Sequence, residues 1–400
     1  MTLDELTSLI VDTEHNTAPT QERGIPSIRT PNVGKGRLIL QGVRRVSEET
    51  YLKWTKRAIP QPGDLIIARE APVGNVGLIL PGQRVCLGQR TVLVRPNPNN
   101  TDPAFLCYWM LGHEVQSYFK AVATGATTPH LNMRDIRGLN VTSLPLLPEQ
   151  KRIAGILSAY DDLIAVNTRR IEALEEMARR TYEEWFGDLA VLNVDNLPTN
   201  EKFNHWSMDE ICSSVRNSIS PKQVSPETPY FGLEHLPRRS LTLTDWGKPS
   251  DSISTKLIFE KDDVLFGKIR PYFHKVGHAP FGGICSSDTI VIRAKEEKFM
   301  SLVTTIASSD RFVEHATQSS NGTKMPRANW NVLKKFGVPK ITFENLSVFE
   351  TQISSKLEFC AHLSETNQNL RAQRDLLLPR LISGEIDVSD APLPAAEAAE

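Results

Sequence analysis

The chain has 400 residues, of which 40% are apolar and 23% are charged, so it is long enough for two or three globular domains and is not of a disordered class. No apolar run approaches the roughly 20 residues of a membrane span. The N-terminal stretch MTLDELTSLIVDTEHN carries acids where a signal peptide needs bases, which predicts a cytoplasmic protein. Five scattered cysteines without a C-x-x-C pair argue against a disulfide framework or a zinc site.

The net charge of −1 hides two basic blocks. Residues 23–95 hold 13 Lys/Arg against 4 Asp/Glu, and residues 215–340 hold 19 against 12, which gives +9 and +7. The segments between and around them are neutral or acidic. Charge segregated in this way can build two local positive fields on a nearly neutral molecule. The alternative is that surface lysines and arginines cluster by chance.

The first half of the chain begins with short β-type runs bounded by Gly and Pro, namely GRLILQGV, GDLIIAR, NVGLIL and QRTVLVR. A helix is predicted over AFLCYWMLGHEVQSYF, with Asp102 as its cap and Pro103 at its first position. The tetrapeptide Asp102–Phe105 has a weaker alternative, a D-P-P-Y-type methyltransferase site, but it lacks the second proline and a glycine-rich cofactor loop. The loop TGATTPHLNM (124–133) follows.

A long helix is predicted next, because residues 149–186 contain no Gly or Pro after Gly155. Leu157, Ile164 and Ile171 recur at sevens, as in a coiled-coil seam. Large apolar residues near its end, Tyr182, Trp185 and Phe186, belong either to a docking face or to a core, and the core is favoured.

The second half repeats this order. It contains the strand-like runs DDVLFGKI and SDTIVIRA, a helix predicted over KFMSLVTTIASSDRFVEHA, and the loop NGTKMPRANW (321–330). A second long helix is predicted over about 346–378, with Leu363, Leu370 and Leu377 in its seam and Pro379 ending or kinking it. Both seams place an asparagine near mid-length, Asn167 and Asn367. These asparagines either pair between antiparallel helices or face water.

Four matches in the same order indicate that the two halves are copies of one fold. Asp4-Glu5-Leu6 corresponds to Asp209-Glu210-Ile211, Pro26-Ser27-Ile28 to Pro229-Tyr230-Phe231, GDLIIAREAP to DDVLFGKIRP, and the first loop to the second. The two loops share the skeleton G-x-x-x-P-x-x-N but differ in the residues between these fixed points. The spacing drifts slowly, as unequal loops would produce. The prediction is a duplicated α+β globule with a curled, mostly antiparallel sheet and short helices.

The sequence contains no phosphate loop of the G-x-x-x-x-G-K-[ST] type, no H-E-x-x-H and no Cys/His cluster. No nucleophile, base and oxyanion set stands out. Catalytic residues, metal ligands and a cofactor of this chain are therefore not predicted. Two basic globules point instead to double-stranded DNA as the partner.

These residues resemble the DNA-specificity subunit of type I restriction-modification enzymes. The resemblance rests on GIPSIRT and PYFGLEHL, on GDLIIAR and GKIRPYFHKV, on the two loops, on PLLPEQKRI before a long helix, and on the ending LRAQRDLLLPRLISGEI. It covers about residues 1–388. The second copy departs from it at ENLSVFE, where P-E-Q is expected, which weakens the helix-start signal there.

The resemblance implies two tandem target-recognition globules separated by two long antiparallel coiled-coil helices, with an internal pseudo-twofold repeat. The boundaries are 1–148 and 191–340 for the globules, 149–190 and 341–387 for the helices, and 388–400 for a disordered tail. It implies a non-catalytic hetero-oligomer subunit that reads a bipartite DNA site, and the broad difference between the two globules predicts that this site is asymmetric. Its helices would dock two modification (methyltransferase) subunits and the restriction (motor-nuclease) subunits. S-adenosylmethionine, ATP and Mg²⁺ would belong to those partners.

The candidate DNA-contacting residues are basic side chains and loop residues of the two globules. In the first globule they are Arg29, Lys35, Arg37, Arg44, Arg45, Arg69, Thr127, Thr128 and His130, and in the second they are Lys268, Arg270, Tyr272, His274, Lys275, Lys324 and Arg327. His130 is more readily explained as a structural residue. The expected helix–helix seam is Leu157, Ile164, Asn167, Ile171, Leu363, Asn367, Leu370 and Leu377.

Two other functions compete with this one. The first is an enzyme that methylates or cuts DNA without partners, and the second is a coiled-coil scaffold that binds proteins without DNA specificity. The missing cofactor loop disfavours the first, and the basic blocks disfavour the second.

Overall fold

The computed structural model describes residues 1–14, 16–125, 129–141, 144–251, 254–322 and 324–393. The chain divides into two compact units. Unit 1 comprises Met1–Ile164 and the residues from Leu370 onward, and unit 2 comprises Ala165–Asn369. Within the described residues, no helix is long and apolar enough to cross a membrane.

The first part of the chain is rich in short strands. Its elements in chain order are α1 (Leu3–Leu6), β1 (Thr7–Asp12), β2 (Ile25–Ile28), β3 (Gly36–Arg37), β4 (Arg45–Val46), α2 (Glu48–Trp54), β5 (Leu65–Ala68), β6 (Val76–Leu78), β7 (Cys86–Leu87), β8 (Thr91–Pro96), α3 (Pro103–Leu111), α4 (His113–Val122), α5 (Met133–Arg137) and α6 (Leu147–Phe186).

A five-stranded sheet in the order β1-β8-β5-β6-β3 is the centre of unit 1, and only the β3–β6 pair is parallel. A smaller sheet has the order β4-β2-β7. Along β5, Leu65 and Ile67 join the core that contains residues of α3 and α4, whereas Ile66 and Ala68 join a second core with Ile28. Because both faces of the sheet are covered, this strand is apolar throughout instead of alternating.

The rest of the chain repeats this plan. Its elements are α7 (Thr199–Lys202), β9 (His205–Ser207), α8 (Met208–Ile211), β10 (Cys212–Val215), β11 (Ser218–Ile219), β12 (Tyr230–Phe231), β13 (Lys256–Phe259), β14 (Val264–Gly267), β15 (Val276–His278), β16 (Gly283–Cys285), β17 (Thr289–Ala294), α9 (Met300–Ser308), α10 (Asp310–Gln318), α11 (Trp330–Leu333), β18 (Gly337–Pro339) and α12 (Phe343–Ile382).

The main sheet of unit 2 has the order β10-β17-β14-β15, which matches β1-β8-β5-β6 strand for strand. A second sheet runs β11-β13-β16-β12, and its parallel β12–β16 pair corresponds to the parallel β2–β7 pair of unit 1. The predicted α+β fold, with two β-rich globules and two long helices, is confirmed. The sequence match at Asp4-Glu5-Leu6 is explained as well, since α1 and α8 both begin with a capping box, made by Thr2 and Glu5 and by Ser207 and Glu210.

A buried ion pair recurs at the same place in both main sheets. Asp64 precedes β5 and accepts two hydrogen bonds from the Arg95 guanidinium, at 2.7 and 2.8 Å. Asp263 precedes β14 and accepts two from Arg293, both at 2.7 Å. The aspartates are only 2% and 1% exposed. A bidentate arginine compensates for the lost hydration of such a carboxylate, so each aspartate depends on its arginine.

The single helix that was predicted after each β-rich region is two helices. α3 and α4 meet at Gly112, and α9 and α10 meet at Ser309, where both residues have nearly the same extended backbone, φ −62° and −67° and ψ 154° and 144°. In each helix pair a single residue has non-helical backbone angles. The periodicity of apolar residues does not reveal such a break. The predicted start at Asp102 and Pro103 is confirmed, because the Asp102 carboxylate accepts a hydrogen bond from Phe105 N at 2.9 Å.

Both long helices extend over 40 residues. α6 was predicted from residue 149 and begins at Leu147, and α12 was predicted from about 346 and begins at Phe343. Pro379 was expected to end or kink α12, and the first alternative is wrong, because the helix continues to Ile382. Its start was weak in sequence because P-E-Q is absent, but Thr342 Oγ1 accepts a hydrogen bond from Asn345 N at 3.2 Å and caps the helix.

In unit 1, the first part of α6 packs on the last part of α12. Leu157 is buried in a cluster with Leu381, and Leu377 lies half-buried against that cluster. Asp161 accepts hydrogen bonds from the Tyr108 hydroxyl at 2.6 Å and from the Arg374 guanidinium, within the same packed region. Burial, followed by the nearby Asp161 charge, raises the pKa of Tyr108 far above its ordinary value, so the phenol remains a donor. The expected seam residues Ile164 and Leu370 are half-buried.

In unit 2, the remaining part of α6 packs on the first part of α12. Ile171 is buried with Leu363 and Cys360. The carboxamides of Asn167 and Asn367 are both 3% exposed and are joined by a hydrogen bond from Asn167 Nδ2 to Asn367 Oδ1, at 3.0 Å. Pairs such as these two place the helices antiparallel in this unit.

The aromatic residues at the end of α6 are core residues of unit 2. Tyr182 and Phe186 are buried, and the Phe186 ring meets that of Phe349 edge-on with centroids 5.3 Å apart. Trp185 is partly buried against the same cluster. The preferred alternative for these three residues, a core where helix meets globule, is the arrangement found.

The chain after α12 folds back onto unit 1 as far as residue 391. Val388 is 3% exposed and lies in a cluster with Phe105 and Leu381, and Ala391 O accepts a hydrogen bond from Arg152 Nε at 2.9 Å. The sequence assigned 388–400 to a disordered tail because the segment is acidic and proline-containing. Its one branched apolar residue near the start, Val388, has a hydrophobic site to fill. Residues 394–400 lie outside the described part of the chain.

A side chain of each long helix binds the start of α3 or α9. Gln150 Oε1 accepts hydrogen bonds from Asp102 N at 2.9 Å and Thr101 Oγ1 at 3.0 Å. Glu350 occupies the matching position and accepts from Ser301 N at 3.0 Å and Ser301 Oγ at 2.8 Å. The glutamine of P-E-Q therefore ties helix to globule in unit 1, and a glutamate does so in unit 2.

We predict that Asn167 and Asn367 contribute to stability as a pair. Asn167→Leu leaves the Asn367 carboxamide against an apolar side chain and should lower the free energy of unfolding by about 1–3 kcal/mol. The double replacement with Leu should recover most of this loss, because no polar group is then stranded. Urea denaturation in a double-mutant cycle measures the coupling, with the exposed Asn369→Leu as the control. Additive losses in the double variant would contradict the pairing.

Glu350→Gln should stabilise unit 2 in a pH-dependent way. Burial raises the pKa of Glu350 in the folded protein, although the hydrogen bonds from Ser301 oppose this. A raised folded pKa means that stability is lost as pH rises through the unfolded value, about 4.3, towards the folded one. The glutamine variant should therefore unfold at higher temperature than the parent at pH 7 and at the same temperature below about pH 4. Thermal unfolding followed by circular dichroism tests this, with the exposed Glu344→Gln as the control. A difference that is independent of pH would refute the explanation.

Candidate nucleic-acid interface

The two copies of the G-x-x-x-P-x-x-N loop are closed by the same pair of backbone hydrogen bonds. In the first, Thr124 and His130 exchange two backbone hydrogen bonds of 3.0 and 2.8 Å, and in the second, Asn321 and Arg327 exchange two of 3.2 and 2.9 Å. Gly125 and Gly322 have φ of +119° and +100°, a region that favours glycine. Thr127 and Thr128 lie outside the described residues.

The conserved asparagine of the skeleton starts a helix in both copies. Asn132 is the N-cap of α5, and Asn329 is the N-cap of α11, where its side-chain oxygen accepts from Asn331 N at 3.0 Å. The shared residues therefore shape and anchor the loop, while His130 and Arg327 occupy equivalent places with different chemistry. His130 is half-buried and Arg327 is half-exposed.

In unit 1, Arg29 and Arg44 form one basic site. Both line a small cleft with Ser27 and Gln89, and burial together with the Arg44 charge lowers the pKa of Arg29. Arg44 is exposed. Two cations this close repel each other, and a bound anion would relieve that repulsion.

The other bases that were predicted in unit 1 have different surroundings. Arg45 donates to Gly24 O at 2.8 Å, and Arg69 donates to Leu131 O at 2.7 Å, next to the first loop. Arg37 pairs with Asp162 of α6 at 2.6 Å, and Lys35 lines a cleft of about 290 Å³ beside Asp375 of α12. Lys35 and Arg37 thus belong to the junction between globule and helices and not to the Arg29–Arg44 site.

Much of the first basic block is neutralised in the fold. Its ion pairs among the described residues are Arg37–Asp162, Arg57–Asp12, Arg84–Glu48, Arg90–Glu70 and Arg95–Asp64. Two of the acidic partners, Asp12 and Asp162, come from outside the block in sequence. The excess of +9 therefore overstates the charge that this surface presents.

In unit 2, three cations line one cleft of about 450 Å³, namely Arg216, Lys268 and Arg327. Lys268 follows β14, Arg327 belongs to the second loop, and Arg216 follows β10. Sequence reasoning missed Arg216, since it lies 52 residues before Lys268 in the chain. The available signal was the alignment of β10 with β1. Both are edge strands of their main sheets, and Arg216 directly follows β10.

The remaining predicted residues of unit 2 divide into two groups. Arg270, Tyr272 and Lys324 are exposed. Arg270 N donates to Pro326 O at 2.8 Å, so the segment after β14 adjoins the second loop. The other group points inward. His274 is 8% exposed with its Nε2 2.8 Å from Ser308 O, and the Lys275 ammonium donates to Leu233 O. Burial lowers the pKa of both side chains.

The described residues contain no group of three or more His, Cys, Asp or Glu side chains that could hold a metal ion. All five cysteines are buried thiols. Burial raises the pKa of Cys86, Cys107 and Cys285 to about 12, which disfavours the reactive thiolate.

Comparisons with known proteins agree with this architecture. Residues 14–176 match the family model described as "Type I restriction modification DNA specificity domain". The MjaIX specificity subunit of Methanocaldococcus jannaschii is 20% identical over 375 residues, 88% of this chain and 84% of that one. The HindI specificity subunit of Haemophilus influenzae is 23% identical over 406 residues, 83% and 88% of the two chains.

A solved structure shows the same fold. The S subunit of a type I restriction-modification system from M. genitalium aligns with a TM-score of 0.55 at 14% identity, covering 96% of this chain and 95% of that one. Members of this family are non-catalytic subunits that recognise DNA target sites within a restriction-modification complex. Residues 14–176 therefore carry a type I restriction modification DNA specificity domain, and the two relatives that align over more than 80% of the chain are specificity subunits of such systems.

Proposed function

We propose that this chain reads an asymmetric, bipartite site in double-stranded DNA, one half-site with each globule. The observation that carries the proposal is duplication with divergence. The two units repeat the sheet order, the buried Asp–Arg pair and the backbone hydrogen bonds that close the loop, while the residues that the loops present differ, such as His130 and Arg327. Equal scaffolds with unequal contact surfaces are suited to two different half-sites.

The physics of DNA recognition divides the work among the side chains. Lys and Arg contacts to phosphates position a protein and make its affinity depend on salt, whereas contacts to base edges supply specificity. In unit 1 the candidates are Arg29, Arg44, Arg45, Arg69 and His130, and in unit 2 they are Lys268, Arg270, Tyr272, Lys324 and Arg327. Lys35, Arg37, His274 and Lys275 are better explained as residues that hold the globules together or to the helices.

The long helices are proposed as the docking elements for two modification subunits and for the restriction subunits. Val166, Met177 and Phe359 are exposed apolar side chains on α6 and α12 of unit 2 and would be available to such a partner. S-adenosylmethionine, ATP and Mg²⁺ are expected in those partners. The proposed domains remain 1–148 and 191–340 for recognition, with 149–190 and 341–387 as helices.

Methylation mapping tests the bipartite site. The chain is co-expressed with its modification subunit, and methylated positions are mapped across the host genome. The expected result is one motif with two unlike half-sites and an unread gap. Exchange of residues 20–148 for the equivalent domain of a relative should change one half-site and leave the other unchanged. A contiguous motif, or a change in both half-sites, would refute the proposal.

The same experiment separates the main alternative, a coiled-coil scaffold without DNA specificity. A scaffold would co-purify with protein partners, but methylation by the assembled complex would not depend on the sequence of this chain. An exchange of residues 20–148 that left the methylated motif unchanged would favour that alternative.

Two lysines of unit 2 offer a matched test of DNA contact. Lys324→Met removes an exposed cation of the second loop and should weaken DNA binding about tenfold near 0.1 M salt, through the release of roughly one counterion fewer. Lys275→Met removes the same charge from a side chain that already donates to Leu233 O, and it should leave DNA affinity unchanged while altering thermal stability. Fluorescence anisotropy of the assembled complex on its mapped site measures both. Equal losses of affinity would contradict the assignment.

A further inference from the structure

We propose that the cleft of Arg216, Lys268 and Arg327 in unit 2 binds a phosphodiester group of the DNA backbone and reads no base. This inference rests on the proposed function, since it assigns a role to one site of the second recognition globule. It goes further because it separates a phosphate-binding site from the residues that contact base edges. It also adds Arg216, which no sequence argument had singled out.

The polar side chains that line the cleft can all donate hydrogen bonds. Besides the three cations, the polar side chains of the described lining are hydroxyls, carboxamides and an indole, namely Ser214, Ser287, Thr289, Asn321, Asn329 and Trp330, and none of the described lining residues is a carboxylate. The Asn329 oxygen is already engaged by Asn331 N, so its amino group is the part left to donate. A surface of this kind is complementary to a group that only accepts, which is the chemistry of a phosphate.

The cleft also carries a net positive charge. Arg327 has one acidic neighbour, Asp288, at 3.6 Å, and Asp288 does not line the cleft. Three cations against one carboxylate leave an excess positive charge where they converge. A monoanionic phosphodiester satisfies that excess without the need to bury an unpaired ion.

Thr289 supplies the independent sign that a ligand belongs in the cleft. It is 3% exposed, and its hydroxyl has no hydrogen-bond partner among the residues that the structure describes. The thiol of Cys285 is near it, but a thiol is a weak partner. In unit 1 the matching residue, Thr91, donates to Gly88 O at 2.8 Å. The hydroxyl at this position is satisfied internally in unit 1, whereas in unit 2 it is buried without a described partner in a residue that lines the cation-lined cleft.

The concave shape favours a phosphate over a base edge. In duplex DNA the base edges lie on the floors of the grooves, whereas the phosphates form the ridges that project outward. A projecting group enters a cleft of about 450 Å³, and a groove floor does not. Base reading then falls to Arg270 and Tyr272, which are exposed in the segment after β14.

The test uses the complex with its modification subunit on the mapped DNA site, with affinity measured over a range of salt concentrations. Arg216→Gln should lower affinity about tenfold near 0.1 M salt and reduce the salt slope by about one, while the methylated motif stays the same. Thr289→Val keeps the shape of the side chain and removes the hydroxyl, and it should lower affinity several-fold, again with an unchanged motif. The controls are Thr91→Val and Arg239→Gln, which should leave DNA affinity unchanged.

Three results would overturn the inference. A changed base preference in the second half-site of either variant would make the cleft a base reader. Unchanged affinity and salt slope in both variants would show that no DNA phosphate binds there. Inorganic phosphate that raises the melting temperature of the parent but not of Arg216→Gln, with equal DNA affinity for the two, would show that the cleft serves free phosphate. Failure of the bipartite proposal is visible separately, in the motif of the parent complex.

Discussion

The antiparallel pairing of α6 with α12 is the contact on which the rest of the molecule depends. In unit 1, the start of α6 packs with the end of α12 around Leu157 and Leu381, and in unit 2 the end of α6 packs with the start of α12 around Phe186 and Phe349. Each unit is therefore completed by helix residues from two distant parts of the chain. Contacts of such long sequence separation carry a high entropic cost of loop closure, and the large apolar clusters offset it.

Polar groups in these helices add specificity of pairing to the apolar seam. The Asn167–Asn367 bond in unit 2 and the Asp161–Arg374–Tyr108 network in unit 1 each satisfy buried polar atoms only when the helices are in register. The two devices differ although the units are copies. The positions that match Asp161 and Arg374 hold Ala361 and Leu174, so the network exists once. Such asymmetry distinguishes two otherwise similar helix pairings.

The duplication preserved what holds a globule together and changed what it presents. The Asp–Arg pairs, the capping boxes, the helix break at Gly112 and Ser309, and the loop glycines recur, because each satisfies a backbone or a buried charge that the fold leaves without another partner. Gln150 became Glu350 within the same hydrogen-bonding role. Exposed positions are free of these constraints, which is why the two basic sites differ, one built by Arg29 and Arg44 and the other by Arg216, Lys268 and Arg327.

The sequence by itself determined the fold class, the duplication and the two long helices, because apolar periodicity, glycine and proline positions and ordered repeats act locally along the chain. Only the tertiary structure decided which basic side chains are free to contact DNA. Arg37 and Arg95 form ion pairs with aspartates, and His274 and Lys275 point into the globule. Arg216 lines one cleft with two cations from distant segments. Charge counts along a sequence cannot show this, since the pairing of a cation depends on which groups the fold brings within about 4 Å of it.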